Sequence, residues 1–179
     1  MTEDNATKPD NILSRYFDGS VEEKLSRARI LYSLHGQSML ASPEIRPALG
    51  QLGRALDRLQ RQMETMTLPL QCATCASRTD GCCSSAMADN SDVMQLLINM
   101  LLQVEVRQHR HEEDLCCFLG RHGCIFPAKP IFCLNYNCSH IREAATAKAM
   151  ATLEHLTGTV LAAQTRLEGI LLHFLAGTS

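Results

Sequence analysis

Residues 42–69 read SPEIRPALGQLGRALDRLQRQMETMTLP. Within them Ile45, Leu49, Leu52, Leu56, Leu59, Met63 and Met66 recur with spacings of 4, 3, 4, 3, 4 and 3. At about 3.6 residues per turn these positions share one stripe of a helix, while Arg54, Arg58 and Arg61 lie off it. Ser42 followed by Pro43 marks the start, because proline at the first helical position gives up an amide that has no partner there anyway. Pro69 marks the end. A seam of three heptads is marginal as an isolated coiled coil, so it reads as the core edge of an antiparallel bundle.

Three further segments supply the neighbours that this seam needs. Residues 18–36, DGSVEEKLSRARILYSLHG, open with Ser20 and Glu23 at capping-box spacing, where hydroxyl and carboxylate each satisfy one free amide. Val21, Leu25, Ala28, Leu31 and Leu34 form its apolar stripe, and Gly36 is the expected stop. A helix expected from about Ser91 to Arg110 is apolar on nearly every side and should be the most buried of the set. The last helix is expected from near Ser139 to about Leu175. Its stripe is Ile141, Ala145, Ala149, Leu153, Leu156, Val160, Ala163, Leu167, Ile170 and Phe174, and Gly158 and Gly169 weaken it enough to allow a bend at either. No strand pattern and no repeat of solenoid period is visible. The expected fold is all-α: a bundle of about four long helices with two cysteine-rich metal-binding loops. Residues 1–19 read as a disordered or loosely ordered N-terminus and 20–176 as a single helical metal-binding domain, with cysteine motifs at 72–83 and 116–138.

Composition agrees with that class. The 179 residues are 45% hydrophobic and 20% charged, which is globular rather than disordered. Aromatics are few and Trp is absent, while straight-chain residues, which lose little freedom in a helix, are plentiful. A formal net charge of −2 gives no electrostatic reason to expect nucleic acid or an anionic membrane. The opening MTEDNATKPDNILSRYFDGS has no apolar stretch of the secretory kind. The longest apolar run, Val93 to Val106, is interrupted by Gln95, Asn99 and Gln103 and is too short to span a bilayer. The chain therefore reads as soluble and cytoplasmic. In that compartment thiols stay reduced, and dense cysteine points to metal or redox chemistry.

Nine cysteines carry the chemistry. Cys72 and Cys75 have the C-x-x-C spacing with which two thiolates grip one metal, and Cys82 and Cys83 follow after six residues. The second group is Cys116, Cys117, Cys124, Cys133 and Cys138, within LCCFLGRHGCIFPAKPIFCLNYNC. An odd total argues against a closed disulfide framework. All-thiolate ligation selects Zn(II), Cu(I) or iron–sulfur. One structural zinc takes four ligands, so this many thiols fit two zincs, a four-iron cluster with spare thiols, or two clusters. Adjacent cysteines point in different directions, so both members of a C-C pair seldom serve one ion. The two groups are separated by the third helix, expected to be about 30 Å long, and must either fold together or form separate sites.

The pieces CATC…CC, then CCFLGRHGCIF…KPIFC, resemble the YkgJ-type zinc- or iron-chelating domain family over roughly residues 72–138. That family's second half runs C-P-x-L, G-x-C-x-I-Y, R-P-x-x-C, often with one more cysteine. Cys116 falls on its first cysteine, Cys117 on its proline and Leu119 on its leucine. Cys124 takes the middle cysteine, Ile125 and Phe126 the Ile-Tyr pair, Lys129 and Pro130 the Arg-Pro pair, and Cys133 the next cysteine. Departures are a Cys124–Cys133 spacing one residue short, a longer gap from Cys75 to Cys82, and lysine in place of arginine. The resemblance implies a metal-bound cysteine motif, and one relative, a flagellin lysine methylase, is held to carry an iron–sulfur cluster.

The candidate ligands are therefore Cys72, Cys75, Cys82, Cys83, Cys116, Cys124, Cys133 and Cys138, with Cys116 preferred to Cys117 on the resemblance. Lys129 reads as a solvated lysine before it reads as a donor to a cluster sulfur or a charge that neutralises thiolate. His109, His111, His122 and His140, with Glu112, Glu113 and Asp114 among them, read as solvated or helix-capping side chains more readily than as ligands. No catalytic residue, phosphate loop or nucleophile elbow is legible. The expected function is that of a cysteine-ligated metal protein, with an iron–sulfur cluster (4Fe-4S) favoured, for electron transfer, redox sensing or as accessory to an enzyme. The alternative is a structural zinc module whose helix faces bind a protein partner or a second copy.

Overall fold

The computed structural model describes residues 12–78, 82–109, 114–135 and 137–178, without the side chains of 12, 13, 73 and 76–78. Along the chain come α1 (Ile12–Phe17), α2 (Val21–Ala41), α3 (Ile45–Thr65), α4 (Leu68–Arg78), α5 (Ser85–Ala88) and α6 (Val93–Leu101). A hairpin of β1 (Leu119–Gly120) and β2 (Gly123–Cys124) follows, then α7 (Ile131–Asn135), α8 (Ser139–Ala144) and α9 (Ala147–Ala176). The long helices α2, α3 and α9 pack together, α3 lying along α9 and α6 against α2.

The heptad seam does what its spacing requires. Ile45, Leu52, Leu56 and Leu59 are all buried in the core, and Leu49, Met63 and Met66 pack against its edge. Ser42 starts the helix by accepting from the amides of Glu44 and Ile45, each at 3.3 Å. Pro69, expected to end this helix, instead lies in the first turn of α4; the break falls at Thr67, whose φ is 56°. Cys72 and Cys75 thus stand one turn apart on a helix rather than in a loop.

The capping box of α2 is present in both directions. Ser20 Oγ accepts from the Glu23 amide at 3.2 Å, and the Ser20 amide donates to Glu23 Oε2 at 2.8 Å. Ser20→Ala is expected to cost about 1 kcal/mol, read as a fall of roughly 2–4 °C in a thermal melt. Two expectations for this helix fail. Leu34 is 69% exposed, because nine residues after Leu25 the helix has turned about two and a half times and presents the opposite face. Gly36 does not stop the helix, which runs on to bury Met39 fully. It is a packing glycine: a Cβ there would stand 3.0 Å from the Tyr32 ring.

The helix expected over 91–110 ends at Leu101. Gln103 takes a left-handed φ of 63°, its amide donates to Met100 O at 2.9 Å, and the Val104 amide donates to Asn99 O at 3.0 Å. These two bonds are a Schellman termination, built on glutamine where sequence reading looks for glycine or asparagine. The nine-residue α6 is about 14 Å long, less than half the expected separation. Its burial agrees with expectation, since every residue of it is buried.

The final helix also divides differently. It breaks at Ala145, which is extended, and restarts where Thr146 Oγ1 accepts from the Ala149 amide at 3.2 Å. It then runs unbroken past Gly158 and Gly169. Leu171 and Leu175, rather than Ile170 and Phe174, hold the buried positions near its end. The stretch read as a loosely ordered terminus contains α1, whose Tyr16 reaches the core; residues 1–11 lie outside the described residues.

Candidate metal centre

Short α6 lets the two cysteine stretches meet. Ser84 bridges Leu115, the Cys116 amide donates to Cys83 O at 2.9 Å, and the Ser85 amide donates to Asp114 O at 3.2 Å. One of each C-C pair is thereby tied to the other by its backbone. The hairpin is then docked beneath α4. Gly123, with φ +103°, sits so close to Pro69 that a Cβ would meet its carbonyl oxygen at 3.2 Å. Phe118 and Phe126, both buried with ring centroids 4.5 Å apart, hold the hairpin's other side.

Residues 127–130 are planted in the core by amide side chains. Asn99 Nδ2 donates to Ala128 O at 2.8 Å, and Asn99 Oδ1 accepts from the Ala128 amide at 3.3 Å. Gln95 Nε2 also donates to Ala128 O, and Gln164 Nε2 donates to Lys129 O at 3.3 Å and to Gln95 Oε1 at 2.6 Å. Both polar groups of a fully buried loop residue are thus satisfied, as they must be away from water. The clamp lies between Cys124 and Cys133 and sets where each stands.

These contacts enclose a cavity of about 110 Å³ lined by Cys72, Cys82, Cys83, Cys116, Cys124 and Cys133. Met63, Met87 and Lys129 join them, Leu68, Leu119, Leu134 and Leu153 make much of the remaining wall apolar, and Asn137 and Thr157 add two polar side chains. Six of the eight candidate ligands are therefore brought to one space. Cys75, one turn beyond Cys72, and Cys138, which caps α8, do not line it, though both lie near enough to Cys72 to raise its pKa. Cys117 faces elsewhere: its surroundings include Glu22 and Asp89, and its carbonyl accepts from the His109 amide at 2.7 Å. None of the nine cysteines is in a disulfide. His109, His122 and His140 do not line the cavity, and His111, Glu112 and Glu113 lie outside the described residues.

Burial holds most of these thiols protonated. It pushes Cys72 up to about 11 and Cys133 and Cys117 to about 12, and it raises Cys116 and Cys124 as well. Cys82 moves the other way, to about 6, because the Cys83 thiol hydrogen-bonds to it; the same bond raises Cys83. A folded state that binds these protons more tightly than the unfolded chain is favoured below pH 9 and loses that advantage as pH rises towards 12. Metal-free, reduced protein is accordingly expected to show a falling urea midpoint between pH 9 and 11. Loading with metal should flatten that dependence, since bound thiolates have already lost their protons.

The donor set fits a thiophilic metal: sulfur from cysteine, with two thioethers beside it, selects zinc, Cu(I) or iron–sulfur. The thiols surround a shared space without converging. Among the described residues no three His, Cys, Asp or Glu side chains are already grouped to hold one ion. Two contributors escaped the sequence reading. Met63 read only as core seam, and Gln164 gave no signal, whereas Gln95 and Asn99 were visible as polar interruptions, one turn apart, of the most apolar run. Among the described residues no helix is long and apolar enough to cross a membrane. No family model, curated protein or solved structure matches this chain.

Proposed function

We propose that this chain is a cysteine-ligated metal protein whose cavity takes an iron–sulfur cluster, for electron transfer, redox sensing or service to an enzyme. The supporting observation is the arrangement of six thiols from two separate stretches around one cavity, spaced apart rather than gathered to a point. A lone tetrahedral ion needs four sulfurs in contact with it. A cluster places irons and sulfides between its cysteines, so its thiolates stand further apart. The YkgJ-type motif resemblance favours the same class of cofactor. When bound, the cluster would supply one-electron chemistry. Cys72, Cys82, Cys83, Cys116, Cys124 and Cys133 are the residues to hold it, and Leu68, Leu119, Leu134 and Leu153 would keep water from it.

Purification without oxygen tests the proposal. The expected product is brown, absorbs broadly through the visible range, and contains iron and acid-labile sulfide. A colourless product with stoichiometric zinc would overturn the cluster reading in favour of a zinc staple. A product that takes up neither after anaerobic reconstitution would overturn both.

A further inference from the structure

Lys129 lines two spaces at once. It belongs to the wall of the cysteine cavity and, with Met63 and Cys124, to that of an outer cleft of about 270 Å³. These three residues therefore separate the thiols from the cleft. The ammonium Nζ lies 3.9 Å from Met63 Sδ. Asp57 lines the outer cleft, yet no carboxylate among the described residues lies within ion-pair distance of Lys129. Its backbone is fixed where a surface lysine's would not be: Gln164 holds its carbonyl, Asn99 and Gln95 hold Ala128 before it, and Pro130 follows.

We propose that Lys129 is the counter-cation of the cysteine cavity, a positioning residue whose charge offsets that of an anionic metal–thiolate centre. The inference rests on the metal reading above. Four thiolates around a divalent ion, or around a cluster core of charge +2, leave a centre of net charge −2. Placing that charge beside apolar walls is unfavourable unless a cation faces it. Among the described residues, Lys129 is the one lysine or arginine that lines this cavity.

The test uses full-length protein, stripped of metal and reduced under anaerobic conditions, with Co(II) as the probe and Zn(II) as competitor. Lys129→Met keeps the length of the side chain and removes its charge; Lys129→Arg keeps the charge. Lys129→Met is expected to bind Co(II) and Zn(II) on the order of tenfold or more weakly, and Lys129→Arg to stay close to wild type. Metal-free melts of both variants should match wild type, with Lys129→Gln as a second neutral variant should Lys129→Met fold poorly. Where iron and sulfide reconstitute a cluster, its reduction potential should be more negative in Lys129→Met, since the added electron meets less positive charge. Equal metal affinity in Lys129→Met and wild type would overturn the assignment and leave the metal reading standing. An equal loss in Lys129→Arg would overturn it too, by showing that shape rather than charge matters. A wild-type protein that binds neither ion and takes up no cluster would overturn the metal reading and this assignment with it.

Discussion

On the metal reading proposed above, Cys124→Ser is expected to strip the protein of most of its metal, while Cys117→Ser leaves the metal content unchanged. Cys124 lies on β2, opposite Leu119, and lines both the cysteine cavity and the outer cleft. Its thiol is close enough to Cys83, Cys116 and Cys133 to raise the pKa of each. Serine keeps the size of the side chain and removes the soft ligand. Losing an outer-shell partner already costs roughly 10–100-fold in metal affinity, and losing a ligand should cost more. Cys117 makes the sharper control because it is next in sequence to Cys116 yet faces Glu22 and Asp89. Metal analysis of the two variants, with Cys116→Ser beside them, decides the matter. If Cys117→Ser lost its metal and Cys124→Ser kept it, the cavity would not be the metal site.

The second large effect is expected away from sulfur. Asn99 is fully buried, and its side chain joins α6 to the cysteine loop through both polar groups of Ala128. Asn99→Ala leaves the Ala128 amide without its acceptor and opens a void, at a cost of about 3 kcal/mol. For a chain of this size that is a fall in Tm of roughly 6–12 °C. Asn99→Leu fills the void but restores no hydrogen bond, so it should recover little of the loss. If Asn99→Leu proved as stable as wild type, packing rather than the clamp would hold this segment. Both variants should also retain less metal, because Ala128 lies between Cys124 and Cys133.

What could be read from the sequence follows the range of the forces involved. The seam of α3 and the Ser20–Glu23 box were legible because their partners lie three or four residues away, and a helix repeats its own geometry. The end of α6 was not, because a left-handed residue there is usually glycine and here is Gln103. The grouping of thiols was half legible. Spacing and resemblance marked eight cysteines, but nothing local says that Cys72 and Cys133 share a space while Cys117 does not. That depends on the Asn99–Ala128 and Gln164–Lys129 contacts, which join residues 29 and 35 apart. Polar residues inside an apolar run are the trace such contacts leave. Gln95 and Asn99 showed it, whereas Gln164 stands beside Thr165 and Arg166 and is lost among them.

The Gln164 contact bears on the order of events at the ribosome. Cys83 is synthesised 81 residues before Gln164, and at roughly 5–20 residues per second that interval lasts about 4–16 s. Throughout it the early thiols have no finished wall around them and Lys129 has no anchor from α9. The nascent chain thus carries reactive sulfur before it carries a site. On the metal reading proposed above, insertion is expected only once α9 has docked, into a bundle already assembled.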